Sequence, residues 1–472
     1  MGLPEGALLS RSTGASLVPG NRLRILRDAQ ENYPAWEAAV EGARRTIHLD
    51  MYIVHNDPIG RRLRDLLIAK ARAGVAVRLL YDWFGSLRLA SWGFWRPLRA
   101  AGVEVRVANP PTLDRFLGLL SRDHRKLLTV DGAVAFVSGL CIGQAWIGDP
   151  VRGVPPWRDT GVEITGPAVA DAEAAFAEAW GLWGPPLPPE AMSPREGIAP
   201  AGPVALRVVA TSPEQTALYR TELVVATWAK ERLWVTDAYF LPTSTYVEAL
   251  RAAARDGVDV RLLVPSKSDV QWIANLSRAR YRPLLEAGVR LFEWNGSMVH
   301  AKTAVADGIW TRIGSSNLNP SSWIGNWELD VAIEDDFIAW EMERLFLDDL
   351  RRSTEVVIDP RERVRRLDPD RRPAPRGGGG RGRGSANRVI ADVVVMRTML
   401  DAAVKGYRSL GRAEANSVLL LAALFLGLGL MVAIVPRLFA YPVAFLLGWT
   451  AVTLVVRGWR LRRSDSASTP EA

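Results

Sequence analysis

Four histidines occur in the chain, and two of them open the same pattern. His124-Arg-Lys126-Leu-Leu-Thr-Val-Asp131 and His300-Ala-Lys302-Thr-Ala-Val-Ala-Asp307 both read H-x-K-x4-D. Near neutral pH an imidazole can attack phosphorus or hand a proton to a leaving alkoxide. A lysine ammonium neutralises the non-bridging oxygens of a phosphate. On a strand, His and Lys two apart point to one face. Two such strands meeting at a pseudo-twofold would bring two imidazoles and two ammonium groups to one point. Asp131-Gly132 and Asp307-Gly308 are hairpin signals. Each is followed by a small-residue turn, Ser138-Gly139-Leu140-Cys141 or Gly314-Ser315-Ser316-Asn317, whose N–H groups and hydroxyls can hold an oxyanion. One such motif would be unremarkable surface or core. Two, at matching places, predict a pocket for a phosphate diester. His48 reads as structural, and His55 as a residue near the pocket.

The elements that must carry these residues recur as well. Ile47 to Val54 reads as a strand, Leu63 to Ala73 as a helix stopped by Gly74, Ala76 to Trp83 as a second strand, and Val103 to Ala108 as a third. Three stretches then return in the same order. Arg44–Tyr52 matches Glu231–Tyr239, Ala71–Leu80 matches Ala254–Leu263, and Leu98–Val105 matches Leu284–Leu291. Helix–Gly–strand units are common, but three in register argue for a tandem duplication. The expected organisation is a tail over 1–20, a first repeat over 21–190, a Pro-rich joint, and a second repeat over 203–359. Residues 360–390 hold ten Arg and a Gly tetrad and read as a disordered linker. Residues 391–472 read as a membrane region, with apolar runs at 418–435 and 438–456. Each run spans roughly 27–29 Å as a helix, close to the hydrocarbon thickness. Basic residues flank both, which predicts a hairpin with cytoplasmic ends.

Composition narrows the classes. The 472 residues are 48% apolar and 23% charged, which excludes fibrous and wholly disordered chains. A single cysteine excludes an intrachain disulfide and a Cys-based zinc cluster. The net charge of +8 suggests an anionic partner. Its distribution says which. Residues 361–472 carry 19 Lys and Arg against 8 Asp and Glu, net +11, leaving 40 against 43, net −3, in residues 1–360. The excess lies where lipid headgroups would meet it, and no nucleic acid is expected.

The duplicated H-x-K-x4-D with its following turn resembles the phospholipase D superfamily, over about residues 21–359. Within it the chain is similar to the bacterial cardiolipin synthases, on Tyr81-Asp-Trp-Phe-Gly-Ser86, Trp157-Arg-Asp-Thr160, Tyr239-Phe-Leu-Pro242 and Asn317-Leu-Asn-Pro-Ser-Ser322 with Asn326-Trp-Glu328. The resemblance implies two phospholipase D-like α-β-α sandwich repeats forming one pseudo-twofold catalytic unit, without metal or cofactor. It implies a catalytic set of His124, Lys126, Asp131, His300, Lys302 and Asp307, the two aspartates bracing turns or lysines. Ser315 and Asn317 would bind phosphate. Asp159 would orient His124, and Glu328 would orient His300. His124 would be the nucleophile and His300 the acid, an order that the near-symmetry of the residues leaves open. Two departures stand out: Cys141 where the family has Asn, and Ser138 for the first Gly. The implied activity joins two phosphatidylglycerol molecules and releases glycerol, at a bacterial inner membrane. Hydrolysis of phospholipid, a tethered nuclease and a non-catalytic lipid scaffold are the alternatives. Ser91–Trp95 and Phe116–Leu120 read equally as lipid-dipping or core segments.

Overall fold

The computed structural model describes residues 6–358 apart from 88, 111–120 and 214, together with 364–366 and 449. The helices are α1 (Gly6–Thr13), α2 (Asp28–Gly42), α3 (Pro58–Arg72), α4 (Trp92–Ala100), α5 (Gln144–Ile147), α6 (Val169–Leu182), α7 (Ala217–Trp228), α8 (Ser244–Arg255), α9 (Gln271–Ala279), α10 (Tyr281–Glu286) and α11 (Asp336–Leu350). The first half supplies strands β1 (Val18–Arg27), β2 (Thr46–Met51), β3 (Ala76–Asp82), β4 (Glu104–Ala108), β5 (Lys126–Val130), β6 (Val134–Ser138) and β7 (Thr160–Thr165). The second supplies β8 (Val204–Thr211), β9 (Arg232–Thr236), β10 (Asp259–Pro265), β11 (Arg290–Trp294), β12 (Thr303–Ala306), β13 (Trp310–Gly314) and β14 (Glu328–Glu334). β15 (Ser353–Ile358) and β16 (Val364–Arg366) extend its edge.

All these strands form one mixed sheet whose order repeats. It runs β4-β3-β2-β5-β6-β7-β1 in the first half and β11-β10-β9-β12-β13-β14-β8 in the second. β1 and β8 pair antiparallel at the centre and join the halves back to back. The duplication is therefore one pseudo-twofold sheet. β2, β3 and β4 run parallel, as do β9, β10 and β11. The crossovers between them are helical, as parallel neighbours require. At the end of the first such helix Gly74 has φ +90°, and at the matched place Gly257 has φ +94°. Only glycine adopts that conformation without strain, which explains why this piece of the repeat is so legible.

Helices cover both faces. α6 and α11 share one continuous core with both halves, including Leu127, Val137, Ile164, Phe176, Leu206, Ile313, Val331 and Phe346. α2, α3 and α4 close the other face of the first half, and α7, α8 and α10 that of the second. Each half is thus a three-layer α-β-α unit, and the shared core ties them together.

Three expectations change. The tail over 1–20 contains α1, whose Leu9 is buried in the second half's core, and β1 begins at Val18. Residues 364–366 of the expected linker form β16, because pairing with β15 needs only backbone groups; Arg366 also reaches Glu293 at 3.3 Å. In α4, Phe94 and Trp95 are core, with Trp95 stacked on Tyr81 at 3.9 Å, while Trp92 is exposed. Phe116–Leu120 and the apolar runs at 418–435 and 438–456, apart from Trp449, lie outside the described residues. Among the described residues no helix is long and apolar enough to cross a membrane.

Candidate active site

The two motifs sit at equivalent strand ends. Lys126 opens β5 and Thr303, next to Lys302, opens β12. His124 and His300 precede them on short bridging segments, and these segments cross between halves. The His124 N–H donates to the Trp327 carbonyl at 2.8 Å, and the His300 N–H to the Arg158 carbonyl at 2.6 Å. Each motif is therefore clasped by the stretch that carries the other half's carboxylate.

That crossing decides the pairing of the side chains. His124 Nδ1 lies 2.8 Å from Glu328 Oε2, and His300 Nδ1 lies 2.7 Å from Asp159 Oδ2. The pairing expected from sequence, Asp159 with His124 and Glu328 with His300, is thus reversed. Its physical reason is the reciprocal backbone clasp, which brings each carboxylate to the opposite half's motif. Both carboxylates are fully buried and both histidines nearly so. Since Nδ1 of each ring is taken, Nε2 is the atom left for a substrate.

The carboxylates are themselves held. Asp159 Oδ2 accepts from Trp146 Nε1 at 3.0 Å, and Oδ1 accepts from the Thr160 N–H at 2.9 Å. Glu328 accepts from Ser315 Oγ at 2.6 Å and from Asn326 Nδ2 at 3.2 Å. Ser315 Oγ also accepts from the Leu329 N–H at 2.9 Å. The Ser315 hydroxyl thus donates to Glu328 and braces that carboxylate. The corresponding position in the first half is Gly139. A Cβ there would meet Asp159 Oδ1 at 2.2 Å, so no side chain fits beside the shorter acid. Asn317 is buried, with no partner for Oδ1 among the described residues. Cys141 is buried too, and its carbonyl accepts from Tyr33 Oη at 2.7 Å.

Both lysines are buried, and each Nζ donates to the carbonyl of its own motif's histidine. Lys302 Nζ also lies 3.0 Å from His300 Nδ1 and 3.1 Å from Nε2. Burial, offset by Asp159 and reinforced by Lys126, brings Lys302 down to about 8. His124 falls to about 4, chiefly through burial, with Glu328 opposing and Lys126 adding to the shift. His300 falls to about 3, through burial and then Lys302, with Asp159 opposing. Burial pushes Asp159 up, but His300 and Lys302 outweigh it, and its carboxyl lies below the usual range. Glu328 behaves alike through His124 and Lys126. The result is two neutral imidazoles poised between carboxylates and ammonium groups, able to serve a nucleophile and, once an anion arrives, an acid.

Asp131 and Asp307 stand apart. They follow the far ends of β5 and β12, and both are in the left-handed region, φ +56° and +50°. Asp131 accepts from the N–H groups of Arg44, Arg45 and Thr46 at 2.7–2.8 Å. Asp307 accepts from Lys230, Glu231 and Arg232 at 2.9 Å each. A five-residue strand separates Asp131 from Lys126, roughly 16 Å at 3.3 Å per residue. The expected place of both in the catalytic set is corrected; of the two offices expected, they brace turns. His48 is buried and stacked on Phe176 at 4.8 Å.

Sequence reasoning passed over Tyr52 and Tyr239. Their rings lie 4.6 Å from His124 and 5.9 Å from His300, and 5.0 and 5.7 Å from Lys126 and Lys302 Nζ. Those distances permit cation–π attraction. The signal was present, since both end the same matched stretch of the repeat. Buried Asp237 was also missed. Burial raises it to about 7, against hydrogen bonds from the Leu318 and Tyr239 N–H groups.

The family model "Cardiolipin synthase, PLD-like domain" matches residues 37–144 and 226–350, which bracket both motifs. Cardiolipin synthase A of Pseudomonas aeruginosa (strain LESB58) is 35% identical over 76% of this chain and 73% of its own. The chain belongs to the cardiolipin synthase family of phospholipase D-like proteins. Cardiolipin synthase of Geobacillus kaustophilus (strain HTA426), in the same family, is 34% identical over 70% of this chain and 66% of its own. The crystal structure of phosphatidylserine synthase from Haemophilus influenzae Rd KW20 has the same fold. It has a TM-score of 0.58, 14% identity, and covers 74% of this chain and 92% of that one.

Proposed function

We propose that this protein is a phosphatidyltransferase that makes cardiolipin from two phosphatidylglycerol molecules and releases glycerol. The observation that carries the reading is the doubled pair His124–Glu328 and His300–Asp159, with a buried lysine beside each imidazole. The names of relatives at about one-third identity support the substrate. In the first step His124 Nε2 attacks phosphorus. The bond from phosphorus to the glycerol oxygen breaks, and His300, protonated, gives that oxygen its proton. In the second step neutral His300 takes the proton of the incoming alcohol, whose oxygen displaces His124. Lys126, Lys302 and Asn317 hold the non-bridging oxygens. The catalytic portion, repeats 21–190 and 203–359, works at the cytoplasmic face of a bacterial inner membrane. The linker 360–390 and the apolar hairpin of 418–435 and 438–456 tether it there, and the basic linker meets anionic phospholipid.

The test is incubation of the purified protein with phosphatidylglycerol, following cardiolipin and free glycerol. The reading expects both products, in equal amounts, and their loss in His124→Ala and His300→Ala. Phosphatidic acid without cardiolipin would replace it with hydrolysis.

A further inference from the structure

Asp159 and Glu328 occupy equivalent places, yet their backing differs. Behind Glu328 stand Trp327 and, across the strand pair, Thr211. Behind Asp159 stands Arg158, 4% exposed. Its Nε donates to both carboxylate oxygens of Asp349 at 3.0 and 2.9 Å. One terminal nitrogen reaches Asp28 Oδ1 at 3.3 Å and Thr160 Oγ1 at 2.9 Å, and also donates to the Asp159 carbonyl. Asp28 in turn grips the Asp159 backbone at both ends. Its N–H donates to the Asp159 carbonyl at 3.0 Å, and its Oδ1 accepts from the Asp159 N–H at 2.9 Å. To do so Asp28 adopts φ +55°, a conformation that costs a residue with a Cβ. Arg27 adds a donor to Asp349 at 3.2 Å. The Arg158 backbone completes the cage. Its carbonyl accepts from the His300 N–H, and its own N–H donates to the Met298 carbonyl at 2.9 Å.

We infer that Arg158, locked between Asp28 of the first half and Asp349 of α11 in the second, is a positioning residue that sets the Asp159–His300 pair for proton donation. The inference rests on the proposed phosphatidyl transfer. A buried guanidinium between two carboxylates contributes little net stability but fixes registry, because neither charge can be left alone. Here the registry fixed is that of the peptide on which Asp159 sits and to which His300 is bonded. Among the described residues the peptide before Glu328 has no such charged frame. Trp327 makes the matching backbone bonds, its carbonyl to the His124 N–H and its N–H to the Arg122 carbonyl, but carries no guanidinium between carboxylates. The asymmetry therefore falls on the histidine whose office needs a controlled proton. A donor must meet the leaving oxygen at hydrogen-bond distance as the bond breaks.

The test uses the leaving group. Full-length wild type, Arg158→Gln, Arg158→Lys and Asp349→Asn are assayed in mixed micelles on phosphatidylglycerol and on phosphatidyl-p-nitrophenol. Glycerol leaves as an alkoxide and needs the proton; nitrophenolate leaves without one. Arg158→Gln and Asp349→Asn are expected to lose kcat about 100-fold on phosphatidylglycerol and less than about 5-fold on the nitrophenyl ester, with KM unchanged. Arg158→Lys is expected to recover at least about 10-fold of the first loss. Equal losses on both substrates, or none on either, would overturn the inference. Should Arg158→Gln fail to fold, Asp349→Asn and Arg158→Lys decide, since both retain a hydrogen-bonding side chain. If the wild type yields phosphatidic acid instead of cardiolipin, the transferase reading fails. The leaving-group comparison still stands, because glycerol departs in either reaction.

Discussion

At the scale of single residues, the candidate site is governed by the hydrogen bond on Nδ1 of each imidazole. Removing that acceptor while keeping shape is the sharpest perturbation available. Glu328→Gln and Asp159→Asn are each expected to lower turnover about 10²–10⁴-fold with little change in fold. A double-mutant cycle on steady-state rates checks the pairing. His124 should couple to Glu328 and His300 to Asp159, while the crossed combinations should be near additive. The depressed histidines add a second expectation. With His124 at about 4 and His300 at about 3, both imidazoles are neutral at pH 7, and the acid must gain its proton from solvent once a phosphate anion enters. Binding of tungstate, a phosphate mimic, should take up about one proton at pH 7. Calorimetry in buffers of different ionisation enthalpy measures that uptake, and proton release would contradict it.

Asp131 and Asp307 show how an element can keep a motif residue far from the chemistry. Each gathers three N–H groups at the start of the neighbouring strand, β2 or β9, and so fixes where that strand begins against β5 or β12. Asp131→Ala and Asp307→Ala are each expected to cost about 1–3 kcal/mol of stability. Activity per folded molecule should persist, as measured by urea unfolding beside active-site titration. Large loss of kcat in stable protein would return them to the catalytic set. Strands and helix stops of the first half were legible because Gly74, Asp-Gly turns and apolar alternation act locally. β16 was not, because a strand of three residues is made by the edge it joins. The role of Ser315 was not legible either. Whether a hydroxyl faces substrate or carboxylate depends on a strand that arrives 13 residues later.

For the molecule as a whole, burial of titratable groups sets the response to pH. His48, His124 and His300 all lie well below the usual histidine value, each chiefly through burial. At each of these three histidines the unfolded chain therefore binds more protons than the folded one between about pH 6.5 and the folded values of about 3–4, whereas Asp123 and Asp237, raised by burial to about 7, bind more in the folded chain over that range. Each histidine's contribution should be full above pH 6.5 and fall as pH drops through that window, by up to about 1.4 kcal/mol per unit, while the raised carboxylates act in the opposite sense. Urea midpoints of wild type and His48→Gln, compared between pH 7 and pH 4, check that sign for one histidine. His48→Gln, which lies outside the candidate site, should lose stability relative to wild type less, or gain more, as pH falls; the reverse difference would contradict it.

The sequence by itself determined the chemistry available and the duplicated frame. The residue types, their two-apart spacing and their recurrence at matched places are properties of local order, and they survive without coordinates. Only the tertiary structure decided partnership. Asp159 lies 35 residues from His124 and 141 from His300, yet it bonds His300. Antiparallel joining of β1 to β8 turns the halves so that each one's carboxylate segment runs beside the other's motif. A hydrogen bond depends on which atoms are brought within about 3 Å, and separation along the chain does not encode that.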